Sequence, residues 1–213
     1  MLRRILVTAL AAGLAAGIVV SLVQLVQVIP LIEQAEALES RDNAQAPGGH
    51  ASPAHHDGFE RTAFTVLANV LTGIGFGLLM AAGFALHGAA MNWTRGILWG
   101  LAGFAVFSLA PALGLPPEAP GMQRGPLAER QVWWLACAAA SGVGLALLVF
   151  AKGPWFKLSG GLFVVLPHLL GAPSPGGPEP VSLLAEFAIA SLTATGIFWI
   201  VLGGFSGLIY RRL

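Results

Sequence analysis

The sequence predicts an all-α integral membrane protein, a six-helix transmembrane bundle, and three observations lead there. Of 213 residues, 56% are hydrophobic and 10% charged, with a mean hydropathy of +0.77; soluble domains carry about 25% charged residues. Six apolar stretches alternate with loops. Assigning successive loops to opposite sides separates the charges. Glu33, Glu36, Glu39, Asp42, Asp57, Glu60, Glu118, Glu129, Glu179 and Glu186, all ten acids, fall on one side with four arginines, Arg41, Arg61, Arg124 and Arg130. Arg3, Arg4, Arg95, Lys152, Lys157, Arg211 and Arg212 fall on the other. The two sides carry −6 and +7 with histidine neutral, a polarity concealed by the net charge of +1. The positive-inside rule places the basic side, with both termini, in the cytoplasm.

A helix needs about 20 apolar residues to cross a hydrocarbon core of about 30 Å. The spans are expected near 5–32, 62–87, 95–113, 130–151, 155–171 and 183–210, within one transmembrane domain covering 1–213. Arg3-Arg4 before an apolar run resembles a signal peptide, but the run from Ile5 to Ile32 far exceeds an h-region of roughly 7–15 residues, so a retained helix is expected. The fifth span is the shortest and contains Pro167. Trp93, Trp99, Trp133, Trp134 and Trp155 lie near span ends, where interfacial anchors belong. The outer loop 33–61 bears His50, His55 and His56, and its proline- and glycine-containing middle reads as irregular. The outer loops around Pro116-Pro117 and Pro173–Pro180 should be stiff, because proline fixes φ and lacks an amide proton.

The chain also resembles itself. Glu60-Arg61 is followed thirteen residues after the glutamate by Gly73-Ile74-Gly75, and Glu129-Arg130 at the same offset by Gly142-Val143-Gly144. Spans 2–3 and 4–5 thus read as tandem hairpins, and span 6 beside span 1 would complete three pseudo-repeats, a plan transporters use. An accidental match of glycine-rich helices is the alternative. Each odd span carries a proline near its outer end, which would release the carbonyls of Val26, Phe107 and Phe163 or simply end the helix. The pairs Gly13/Gly17, Gly73/Gly77, Gly96/Gly100 and Gly203/Gly207 have the four-residue spacing that lets helices approach closely in lipid.

Several residues could hold a cation. His50, His55 and His56 beside Asp57 supply imidazoles suited to first-row transition metals, although flexible polar loops also accumulate histidine. His168 is an ionisable group at membrane depth, a functional candidate unless a loop carbonyl satisfies it. Glu60, Glu129 and Glu186 at span ends would concentrate divalent cations, or else favour helix N-termini and pair with Arg61 and Arg130. Gln24, Gln27, Thr65, Asn69 and Thr72 form either a polar path or interhelical hydrogen bonds. Cys137 is the one cysteine, so no intrachain disulfide is possible. The basic residues are too few and dispersed for nucleic acid. Walker, H-E-x-x-H and G-x-S-x-G motifs are absent, so neither ATP hydrolysis nor peptide cleavage is expected of this chain.

Across nearly its full length the chain resembles the CbtA-type cobalt transporter subunit family. The resemblance rests on Arg3-Arg4, on Asp57-Gly58-Phe59-Glu60-Arg61 after a His-containing loop, and on Ala68-Asn69-Val70-Leu71-Thr72-Gly73. Leu113-Gly114-Leu115-Pro116-Pro117-Glu118, Arg130-Gln131 before Trp133-Trp134, and Leu166-Pro167-His168-Leu169 complete it. It implies a component of cobalt uptake in a bacterial-type inner membrane, linked to cobalamin regulation, working with a small single-span His-bearing partner (CbtB-like), with self-association also open. No cofactor is implied; Co²⁺ is the transported ion. Its landmarks make His50, His55, His56, Glu60, Asn69, Glu118 and His168 the metal candidates. Nickel as the ion, or a non-transporting assembly subunit, are the alternatives.

Overall fold

The computed structural model describes residues 1–45, 58–118, 125–173 and 181–213. Among these residues the chain is helical with no strand. Helix α1 spans Leu2–Gln27, α2 Ile29–Gln45, α3 Gly58–His87 and α4 Trp93–Phe104. A π-helical turn, Ala105–Leu109, leads into the short α5, Ala110–Ala112. Then follow α6, Leu127–Phe150, α7, Pro154–Leu170, and α8, Val181–Arg212. Five stretches among the described residues are long and apolar enough to cross a membrane: Leu2–Gln27, Gly58–His87, Trp93–Ala112, Leu127–Phe150 and Ala185–Arg212. The sixth expected span, α7, has 17 residues, a rise of about 26 Å.

The chain divides into two compact units, Met1–Leu101 with Thr193–Leu213, and Ala102–Leu192. In the first unit, α1 and α3 lie antiparallel with their backbones in direct contact. A Cβ added at Gly13 would land on the backbone of Gly73 and Ile74, one at Gly17 would sit 2.6 Å from the Val70 Cα, and one at Gly77 3.0 Å from the Ala9 Cα. The glycine rows therefore serve packing. In lipid no hydrophobic force draws helices together, and close van der Waals approach does that work instead. The rows of α4 and α8 meet in the same way: Gly96 faces Gly203 and Gly207, and Gly100 faces Trp199 and Gly203. Gaps left by other glycines are closed by rings, Trp99 over Gly83 and Trp93 over Gly204. Both tryptophans thus pack on helices as well as lying near helix ends.

Phe84, 1% exposed, makes edge contacts with Trp99 and Tyr210 at 5.4 and 5.5 Å between ring centres. The Arg4 guanidinium lies 3.8 Å from the centre of the Tyr210 ring, and its Nε donates to the Tyr210 carbonyl at 2.7 Å. That bond satisfies one of the orphan carbonyls that every helix leaves in its last turn. The first and last helices are joined there.

Two local structures add to the sequence reading. The loop expected from Glu33 begins as helix: after a break at Val28 the chain re-enters a helix that runs to Gln45, and most of the middle read as irregular lies outside the described residues. Pro30 is the second residue of this new helix, where its missing amide costs nothing. The Glu-, Ala- and Gln-rich residues behind it favour helix. Pro111 has the second effect. It cannot donate to the preceding turn, and the ladder slips: the Ala110 amide donates to Ala105, five residues back, producing the π turn.

In the second unit α6 and α7 pack through Gly144 and Gly160, where a Cβ on Gly160 would lie 2.8 Å from the Gly144 carbonyl oxygen. Gly171 ends α7 at φ +84, a conformation that excludes other residues without strain. The loop after α5 is non-helical through Glu118, as its prolines require.

Replacing Gly73 by Ala should cost at least about 2 kcal/mol by overpacking. Gly75→Ala, where nothing lies within 4 Å, should change stability by less than about 0.5 kcal/mol. Thermal unfolding of the purified variants in one detergent checks this; equal losses would show that the glycine contact does not carry the packing.

Candidate functional site

His50, His55 and His56 lie outside the described residues. Of the other four candidates, Asn69, Glu118 and His168 are each held by a named partner, and the four fall in different units.

In the first unit, Glu60 is exposed in the first turn of α3, where the positive end of the helix dipole favours a carboxylate. Its neighbour Arg61 reaches back to α2 and pairs with Glu36 at 3.3 Å. Further along α3, Asn69 faces α1. Its Nδ2 donates to Ser21 Oγ at 3.0 Å and to Gln24 Oε1 at 2.6 Å. Ser21 in turn donates to the Gly17 carbonyl at 2.7 Å. Asn69 lies eleven residues into α3, about 16 Å along its axis, so this network sits deep in the span. Hydrogen bonds of this kind join helices in lipid. The amide nitrogen is engaged, and the Oδ1 of Asn69 remains an acceptor.

In the second unit, Glu118 pairs with Arg130 at 2.8 Å, and its side chain is only 8% exposed. Arg130 therefore pairs with the carboxylate twelve residues before it. Removing one member of such a pair leaves the other charge buried and unbalanced. Arg130 Nε and Trp133 Nε1 are buried without a hydrogen-bond partner among the described residues. Trp133 covers Gly114 and meets the His168 ring edge-on, 6.0 Å between centres.

His168 has the most informative surroundings. Its Nε2 lies 2.9 Å from the Ala110 carbonyl oxygen and its Nδ1 3.2 Å from that of Val164. The Ala110 carbonyl is available because the chain leaves the α-helix here. The Gly114 amide, its partner in a regular α-helix, bonds to Pro111 instead, and the Leu113 amide reaches Ala110 at 3.2 Å. His168 thus caps a helix end from α7. A neutral imidazole carries one N–H; either nitrogen can donate to its carbonyl, and the other then presents a lone pair.

Glu129 and Glu186 are both exposed, Glu129 in the first turn of α6. Met91 is 3% exposed, while His87 is exposed with its ring 5.7 Å from Trp99. Among the described residues no three His, Cys, Asp or Glu side chains gather as a metal-binding group. Sequence reasoning missed Ser21 and Glu36. The spacing of Ser21 and Gln24 on one α1 face was the available signal for Ser21.

The chain belongs to the family described as "Probable cobalt transporter subunit (CbtA)", whose match covers residues 2–211. Among curated proteins and among solved structures nothing matches the chain. Family and helices together make it a multi-pass membrane protein.

His168→Ala should lower stability by about 0.5–1.5 kcal/mol, the net worth of one hydrogen bond, because the Ala110 carbonyl keeps the Leu113 amide, and His168→Gln should recover part of it. Glu118→Gln should cost about 3 kcal/mol, because Arg130 loses its counter-charge. Unfolding midpoints in detergent decide this; an unchanged midpoint for His168→Ala would show that the capping bond contributes nothing.

Proposed function

We propose, from that membership, that this chain is the membrane subunit of a cobalt uptake system, capturing the ion at an acidic, histidine-bearing outer face and passing it through the helical bundle. The match over residues 2–211 carries the reading. The segregation of all ten acids from seven basic residues supports it and gives the direction, with both termini in the cytoplasm of a bacterial-type inner membrane.

The negative face concentrates divalent cations. His50, His55 and His56 replace the ion's bound water with imidazole; Glu60 is the carboxylate ligand offered by the first unit, and Glu118, separately, that of the second. Glu118 does so by exchanging its Arg130 partner for the ion. Asn69 Oδ1 offers a neutral oxygen within the first unit. In the second unit His168 binds by changing tautomer. With the proton on Nδ1, facing Val164, the Nε2 lone pair and the Ala110 carbonyl oxygen both face an arriving cation. These two atoms are 2.9 Å apart. Two ligands at right angles with bonds of about 2.1 Å lie about 3 Å apart, so the pair accepts an ion with little movement. The basic inner loops disfavour return.

A small single-span, His-bearing CbtB-like subunit is the proposed partner. An assembly-only role has less support, because the glycine faces that would dock a partner are engaged within the chain.

Radiolabelled cobalt uptake in cells lacking their own cobalt importers tests the reading, with the chain alone, with the small partner, and as His168→Ala or the His50/His55/His56→Ala triple. Uptake should require the chain and fall at least about tenfold in His168→Ala, and excess nickel should compete less than excess cobalt. Unchanged uptake in His168→Ala at equal membrane level removes the tautomer step. No uptake in any combination removes the transport reading.

A further inference from the structure

A cavity of about 860 Å³ opens where α1 begins and α3 and α8 end. That volume is in the range of small-molecule sites. Its side chains carry three positive charges, from Arg3, Arg4 and Arg212, and no negative one. Among the described residues no carboxylate pairs with these arginines. Arg4 is pre-positioned: Tyr210 holds it by ring face and carbonyl, through Nε and Nη2. A guanidinium has five N–H donors, so the Nη1 pair is left for another acceptor.

The remaining wall is apolar, including Phe84, Ala85 and the Tyr210 ring. Leu2 and Leu86, next in sequence to lining residues, are 69% and 88% exposed. On a helix end in a bilayer such leucines face acyl chains. The site thus joins a fixed guanidinium and two exposed ones to a lipid-facing apolar surface at headgroup level, the arrangement by which basic pockets bind anionic lipids.

We infer that this cavity binds a phosphate-bearing anion, the headgroup of an anionic phospholipid, and so anchors the joined ends of α1 and α8 in the membrane. The inference rests on the helices crossing the bilayer and is independent of cobalt transport; its test reads lipid binding and not uptake.

The full chain, purified and delipidated in detergent, is titrated with dioleoyl phosphatidylglycerol, dioleoyl phosphatidylcholine or inorganic phosphate and read by native mass spectrometry. Phosphatidylglycerol should bind as one adduct per chain, more tightly than phosphatidylcholine. The Arg3→Gln/Arg212→Gln variant, which alters only exposed side chains, should weaken it at least about tenfold. Arg3→Lys/Arg212→Lys should restore most of the binding, and Lys152→Gln/Lys157→Gln, remote in sequence from the cavity lining, should leave it unchanged. Displacement of the lipid by millimolar phosphate would support the anion chemistry and assign its source to soluble phosphate; resistance supports the lipid. Absence of anion binding, or equal weakening in the two glutamine variants at equal thermal midpoints, would overturn the inference.

Discussion

The backbone contact between α1 and α3 sets the register of the first unit. Gly13 against Gly73 leaves no room for a side chain, so the two helices can slide only at the cost of a collision. With that pair fixed, the other partners along the antiparallel seam are determined. Toward one end Asn69 comes opposite Ser21 and Gln24, and beyond it Arg61 meets Glu36 on the continuation into α2. Toward the other end Gly77 meets Ala9, and Phe84 reaches Tyr210, which Arg4 holds. A polar network, an ion pair and the capped end of the last helix all follow from one absence of Cβ atoms.

The second unit depends on a related constraint. Lipid offers no water to a stranded backbone group, so irregular backbone must find partners within the protein. Pro111 removes a donor and the helix before it widens into a π turn; after it the last turn tightens, and the Ala110 carbonyl, given up by the Gly114 amide, is shared by Leu113 and His168. The histidine that resembles a metal ligand is therefore also a structural cap. The two roles are chemically compatible, because moving one proton between ring nitrogens turns a capping donor into a ligand facing a carbonyl oxygen.

Much of this was legible in the sequence and some was not. Hydropathy marked the long spans, and four-residue glycine spacing marked their close-packed faces, because both are periodic and local. For Asn69 the same spacing left a polar path and interhelical bonding open, and favoured it as an ion ligand; its amide bonds Ser21 and Gln24 across the helix pair. The helix from Ile29 was missed because proline ends one helix and begins another equally well, and only geometry tells which. The slip before Pro111 was read as a released carbonyl; that the ladder would re-form one residue out of step depends on neighbours the sequence does not order. The partners of Glu118 and His168 are 12 and 58 residues away, Arg130 and Ala110, and no local pattern encodes either pairing.

The claim that matters most is that cobalt passes through this chain. The most direct measurement places the purified chain, with and without the small His-bearing partner, in liposomes containing a cobalt-quenched dye and adds Co²⁺ outside. Quenching that requires the chain, and that magnesium does not reproduce, is the predicted result. Liposomes that stay unquenched with correctly inserted chain and partner would contradict the account.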